Sequence, residues 1–522
     1  MATKVNSSAM ILDLDGTPLE RYKPSRFDPW DKRKAAHLLQ RAGFGGKPEE
    51  IESLANKGFD LAVDDLLNYE RFPEGYADPT WATEETLKEM IAKRRELRSL
   101  SEEERKKKLM ELRQQMRQNL EELQLWWLKR MIAHKRPLQE KLTLFWHSHF
   151  ATSAEKVKDS YLMWQQNDML RKNALGSFRT LLVEVSKDPA MLRYLDNATN
   201  RKEHPNENYA RELMELFTMG EGNYTEKDVL EAARAFTGWN LREEEFAFIE
   251  RAHDYGSKTF LGKTGNFDGT DIIDIILGKP VTAEFMVRKF WRYFVHDEPE
   301  EEVVKPLAEV FRRGNYEVKP VLEMILRSKG FYSGRAIHTQ IKSPVQLLIG
   351  SLRTLQVDMP PQPRILLKAA QAMGQQLFFP PNVKGWDGGQ AWINSTTLLH
   401  RYNFANAIIH GEVPTAMIAT GPRAAQRFQQ KGRDKIRIPF HCDVTRLCDA
   451  SKFLTAEQCA DHFWGLLVQV PATPQQRLTL VKYLTTGGDG GQVMFSPKQS
   501  YIVDKLKGLV HLIMSSPEYQ LC

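Results

Sequence analysis

The chain has 522 residues, of which 42% are hydrophobic and 27% charged, and 73 Lys and Arg against 67 Asp and Glu leave a net charge of only +6. These proportions fit a folded, soluble protein, either two or three domains or one large helical domain with appendages, and they argue against a nucleic-acid partner. No run of about 18 apolar residues exists, so no membrane span is expected, and four cysteines without a C-x-x-C pair speak against a zinc site or a disulfide framework.

The first notable stretch is SAMILDLDGTPLE, residues 8–20. Asp13-Leu14-Asp15-Gly16-Thr17 spells the nucleophile motif of haloacid-dehalogenase phosphatases. That fold needs parallel strands alternating with helices and a closing acidic pair. Here PLERYKPSRFDPWD leads into helix after helix, and the late Gly488-Asp489 is followed by GGQV. An EF-hand fails too, because Tyr22 stands where the loop needs Glu. Residues 1–26 are therefore expected to be an extension, a strap or edge strand with Asp13 and Asp15 facing water.

Helical periodicity dominates thereafter. DKRKAAHLLQRAGFG places Ala35, Leu38, Leu39 and Ala42 at i, i+3, i+4 and i+7, and Gly43 and Gly45 supply the stop. Two more short amphipathic helices follow. Residues 83–131 carry a long, highly charged helical pattern interrupted at SLSEEE, where Ser101 and Glu104 form a capping box. This predicts a protruding arm with a solvated face, since Glu is interleaved with Lys and Arg. Pro137 opens another helix, LQEKLTLFWHSHF. Residues 241–270 read as a small β excursion, residues 412–450 as a linker and 451–522 as helices. The predicted fold is mainly α, with a core over 27–410 and a C-terminal segment, 411–522, packed against it.

Four motifs could carry chemistry. His147 and His149 stand two apart at a predicted helix end, and in an extended segment both imidazoles would face one way, as metal ligands require. In NENYARELMELF, Asn208, Arg211, Glu212 and Glu215 share a helix face beside Glu207; an intrahelical Arg–Glu network is the plain alternative. His253 and Asp254 precede a glycine-rich turn. GKTGNFDG lacks the spacing of a phosphate-binding loop, so no nucleotide cofactor is expected. NVKGWDGGQAW presents Trp386 and Trp392 around Gly385, Gly388 and Gly389, either to stack on a flat ligand or to plug the helical domain.

The blocks WDKRKAAHLLQRAGFG, PLQEKLTLFWHSHFATS, NENYARELMELFTMGEGNYTEKDVLEAARAFTGW, HDYGSKTFLGKTGNFDGTDIIDIIL and NVKGWDGGQAWINSTTLLHRYNFANA occur in this order. Together they closely resemble the bacterial family called domain of unknown function 1800, over roughly residues 27–410. The resemblance implies a mostly helical protein, often exported and often encoded beside sulfatase-like proteins. It brings no established reaction.

Two functions follow as expectations. The first is a metal-dependent enzyme, oxidative or hydrolytic, using Fe, Mn or Zn. Its ligands would be His147, His149, Glu212 and His253, with Glu207 or Asp254 as base and Arg211 orienting an anionic group. Asn208, Trp386 and Trp392 would hold the substrate. The second is a non-catalytic partner of a sulfatase-like protein, contacting it through the arm and the tryptophan loop. Without an apolar leader in the first 25 residues the cytoplasm is the expected compartment, or the periplasm or exterior if a leader has been removed.

Overall fold

The computed structural model of the chain describes residues 16–133, 135–414, 435–437, 440, 442–447, 455–496 and 502–522. Asp13 and Asp15 lie outside them. What is described of the N-terminal segment is a strap. Its turn is closed by Gly16 N–H donating to Glu20, and Tyr22 N–H bonds the Arg327 carbonyl at 2.7 Å, with Leu19 and Tyr22 buried.

Three helices come first: α1 (Lys32–Arg41), α2 (Pro48–Lys57) and α3 (Phe59–Leu67). Asp31 caps α1 through Lys34 N–H, and the chain then turns through Gly45 at φ +83°. The charged arm is α4 (Glu84–Glu96) and α5 (Glu102–Ala133), separated where Ser101 and Glu104 exchange capping bonds. The apolar pattern explains why the arm is not free along its whole length. The first turns of α5 expose nearly every residue, whereas Leu123, Trp126, Trp127, Leu128 and Met131 are buried. Arg94 ties α4 back to Asp159 at 2.8 Å and to Glu244.

Next come α6 (Pro137–His149), α7 (Ala154–Val157), α8 (Ser160–Lys172), α9 (Phe178–Lys187) and α10 (Pro189–Tyr194). Nearly every residue of α6 from Leu138 to His149 is buried, so this helix runs through the middle of the core. Its charged residues therefore need internal partners. Glu140 accepts from Arg130 Nε at 2.5 Å, Arg171 Nε at 2.8 Å and Trp127 Nε1 at 2.9 Å, joining α5, α6 and α8.

The helix α11 (Asn208–Glu212) continues into a π-helical turn, Leu213–Thr218, and α12 (Glu226–Ala235) starts at a Thr225–Asp228 capping box. The β excursion follows as two antiparallel hairpins, β1 (Trp239–Arg242) with β2 (Glu245–Phe248), and β3 (Lys258–Phe260) with β4 (Lys263–Gly265). Helices resume with α13 (Gly269–Leu277), α14 (Pro280–Phe294), α15 (Glu301–Arg313), α16 (Val318–Leu326), α17 (Pro344–Thr354), α18 (Arg364–Ala372) and α19 (Ser395–His410).

In the predicted linker, β5 (Glu412–Pro414) pairs antiparallel with β6 (Lys435–Arg437). The tail forms α20 (Ala456–Leu467), α21 (Pro474–Leu484) and α22 (Ile502–Met514). Its end is fastened to the rest of the chain: Lys342 N–H bonds the Gln520 carbonyl at 2.8 Å, and Ser351 and Tyr519 share a hydroxyl bond of 2.8 Å. One continuous apolar core runs from Leu19 to Tyr519. Among the described residues no helix is long and apolar enough to cross a membrane.

Candidate functional site: a lysine and tryptophan cleft

A cavity of about 600 Å³ opens where α6, α14, the start of α17 and the loop 384–392 meet. Helical spacing decides what lines it. On α6, Lys141, Leu144, Phe145 and Ser148 fall at i, i+3, i+4 and i+7 and form one wall. On α14, Lys289, Arg292 and Tyr293 form the second by the same rule, and Trp386 and Trp392 belong to the third.

Two lysines of this lining, the buried Lys141 and the half-buried Lys289, are unusual for being unneutralised. Lys141 is 3% exposed, donates to Gln346 Oε1 at 2.8 Å, and lies 5.3 Å and 5.2 Å from the rings of Phe44 and Tyr293. Lys289 donates to His149 Nδ1 and to the Leu216 carbonyl, both at 3.0 Å. No Asp or Glu forms an ion pair with either lysine among the described residues, so burial governs their titration. It brings Lys141 down to about 7, with Arg41 adding to the effect and Cys522 opposing it. Burial likewise brings Lys289 to about 7, helped by the positive charges of Arg292 and Lys384.

His149 connects this site to the NENYARELMELF block through backbone atoms. Its Nε2 bonds the Phe217 carbonyl at 3.1 Å, which makes Nε2 the protonated nitrogen and leaves Nδ1 to accept from Lys289. Burial, reinforced by Lys289, holds the ring well below the usual histidine range, so it is neutral. The Leu216 and Phe217 carbonyls are presented by the π-helical turn, in which Met219 N–H bonds the Met214 carbonyl five residues back.

His147 faces elsewhere. The helix continues through His149, so residues two apart point about 200° apart around its axis. His147 Nε2 accepts from Phe378 N–H at 3.0 Å, and its ring packs against Trp127, Phe378 and Trp386. Burial lowers its pKa to about 3. Its work is to clamp Phe378, which sits at φ +65° and whose carbonyl accepts from Ala154 N–H at 2.9 Å.

The tryptophan loop is pinned on the same helix end. Gly385 has φ +86°, and a Cβ there would lie 2.3 Å from the Ser148 carbonyl oxygen. Gly385→Ala is expected to displace the loop that carries Trp386 and to cost at least about 1–3 kcal/mol. Chemical denaturation checks this; an unchanged midpoint would show that the loop relaxes freely.

The structure thus brings His149, Trp386 and Trp392 into one cleft, with His147 behind Trp386. The other predicted site residues are not among its lining. Arg211 pairs with Glu207, four residues before it, at 3.1 Å, and with Glu226 at the start of α12 at 2.7 Å. Asn208 Nδ2 lies 3.5 Å from Asp196. Glu212 titrates above the usual carboxylate range through burial and the nearby Glu215. His253 Nδ1 bonds the Thr237 carbonyl at 2.7 Å, and its ring packs between Phe248 and Tyr255. Asp254 pairs with Arg234 Nε at 2.7 Å, which holds its carboxyl below the usual range.

Among the described residues no three His, Cys, Asp or Glu side chains gather as a metal would require. The donor set His147, His149, Glu212 and His253 therefore does not fit a shared ion. Each of its imidazoles already holds or receives a hydrogen bond from the backbone.

Sequence reasoning missed Lys141 and Lys289. The available signal was a lysine inside the apolar runs LQEKLTLFW and MVRKFWRYF, where a solvated side chain has no place.

The family model described as "Protein of unknown function (DUF1800)" matches residues 37–521 of this chain. No curated protein and no solved structure matches it.

Proposed function

Since the chain belongs to the DUF1800 family, described as of unknown function, we propose from the geometry of the cleft that it binds a small anionic molecule bearing a flat ring. The observation that carries this is a buried lysine, Lys141, and a half-buried one, Lys289, neither in an ion pair with an acid among the described residues, in the cavity that Trp386 and Trp392 wall. Lys141, Lys289, Arg292 and Lys384 line it against Asp297 and Asp387, an excess of two positive charges when both Lys141 and Lys289 are protonated. Asp387 lies 3.5 Å from Lys384 and offsets it first.

Energetics favour this reading over a structural role for the lysines. A buried ammonium without a counter-charge costs stability, and a packed apolar side chain in its place would cost less. An incoming anion supplies the missing charge, and the indoles supply apolar surface for the rest of the ligand. Charge-assisted bonds of this kind are worth about 1.5–3 kcal/mol each.

Phenyl phosphate is the simplest probe, since it joins a dianion to one ring. Calorimetric titration is expected to show one site per chain, with affinity at least about tenfold weaker in Lys289→Met and in Trp386→Ala. No binding, or binding indifferent to both substitutions, would refute the assignment.

A further inference from the structure

We propose that Lys289 is a nucleophile, condensing with the carbonyl of an anionic aldehyde or ketone in the cleft to form an imine. This rests on the reading of the cleft as an anion site and goes beyond it by naming a reactive atom and a carbonyl-bearing ligand class.

Stereochemistry at one nitrogen carries the argument. A neutral lysine amine has two N–H bonds and one lone pair. Lys289 Nζ has two acceptors at hydrogen-bond distance, His149 Nδ1 and the Leu216 carbonyl, both at 3.0 Å. Each takes one N–H, so the pair of acceptors matches the neutral amine and leaves its lone pair uncommitted. His149 cannot turn this arrangement round, because its Nε2–H is held by the Phe217 carbonyl at 3.1 Å. The flank beside Nζ is the Phe285 ring, its centroid 4.6 Å away, and among the described residues no carboxylate forms an ion pair with the amine. Titration near neutrality agrees with this, since desolvation and neighbouring cations are how a lysine becomes a usable nucleophile.

The division of labour within the cleft follows. Lys141 lines the same cavity on the opposite helix and, among the described residues, has Gln346 as its one side-chain acceptor, at 2.8 Å, so it can stay with the ligand's anionic group. Lys289 meets the carbonyl carbon. Its lone pair forms the C–N bond as the carbonyl π pair moves to oxygen. The carbinolamine then loses that oxygen as water, which carries away both amine protons, and a C=N bond remains. Nothing is oxidised or reduced, and the only co-reactant is the carbonyl compound. His149 is a positioning residue here, orienting the amine through Nδ1.

Pyridoxal 5′-phosphate tests this on the full chain, with pyridoxine 5′-phosphate as the control that has the same ring and phosphate but no aldehyde. Borohydride reduction followed by peptide mass mapping is expected to place about one adduct per chain on Lys289. Labelling should reach half its maximum near pH 7, where an exposed lysine is almost unreactive. Lys289→Arg should lose the adduct, because a guanidinium forms no imine under these conditions. If that control binds in the cleft but reduction labels only surface lysines or Lys141, the nucleophile is wrongly assigned and the anion site stands. If neither compound binds, the anion site fails and the imine falls with it.

Discussion

Glu140→Gln is expected to remove about 3–5 kcal/mol of folding stability, the usual consequence of taking one partner from a buried ion cluster. Glu140 is 1% exposed and receives Arg130, Arg171 and the Trp127 indole. Replacing its charge leaves two guanidiniums of α5 and α8 facing a neutral amide. The loss is local in cause and global in effect, because these contacts fasten the end of the arm to the central helix. Equilibrium denaturation measures it, and a loss below about 1 kcal/mol would mean the cluster is only break-even.

The same residue fixes an acid limb. Burial alone would raise its pKa, but Arg171 and Arg130 outweigh burial and hold it at about 2. A folded-state value below the unfolded one contributes stability that is complete above the ordinary carboxylate range. That contribution is lost as pH falls from about 4.5 towards 2. Wild type and Glu140→Gln should therefore converge in stability over that interval.

How far the sequence revealed these features depends on the range of the interaction. Capping boxes at Ser101 and Thr225, the glycine stop after α1 and the hairpins after Trp239 are short-range patterns, and the structure has them where the residues put them. The arm was legible to its tip, but its last third is buried because Trp126 and Trp127 meet partners far away in sequence. The site was legible only in part. Trp386 and Trp392 were marked by their glycines, yet His147 and His149 were read as sharing a face. They diverge because the helix persists to its last residue.

NENYARELMELF misleads for a different reason. Its charged side chains draw the eye, while its contribution to the cleft is two carbonyls in a π-helical turn. No side-chain pattern announces a shift in backbone hydrogen-bond register. Lys141 and Lys289 were hidden because a lysine is assumed solvated until its neighbours are known.

The anion site makes a second large prediction, in the pH dependence of affinity. Both lysines titrate near 7 in the empty cleft, below their ordinary value, since burial favours the neutral amine. A dianion favours the ammonium, so binding must take up protons wherever the free lysines have lost them. Affinity is then greatest below pH 7 and falls as pH rises, by up to about tenfold per unit for each lysine engaged. Phenyl phosphate should weaken at least about tenfold between pH 7 and pH 9, a range in which its own charge is constant. His149, which faces Lys289, does not produce this slope, because burial keeps it neutral throughout. Lys384 is the one other lysine lining the cleft, and it is exposed, with Asp387 3.5 Å from its ammonium. The Lys141→Met/Lys289→Met double variant should bind weakly and with a flat pH profile. A slope that survives in that variant would place the titrating group outside the cleft, and with it the ligand.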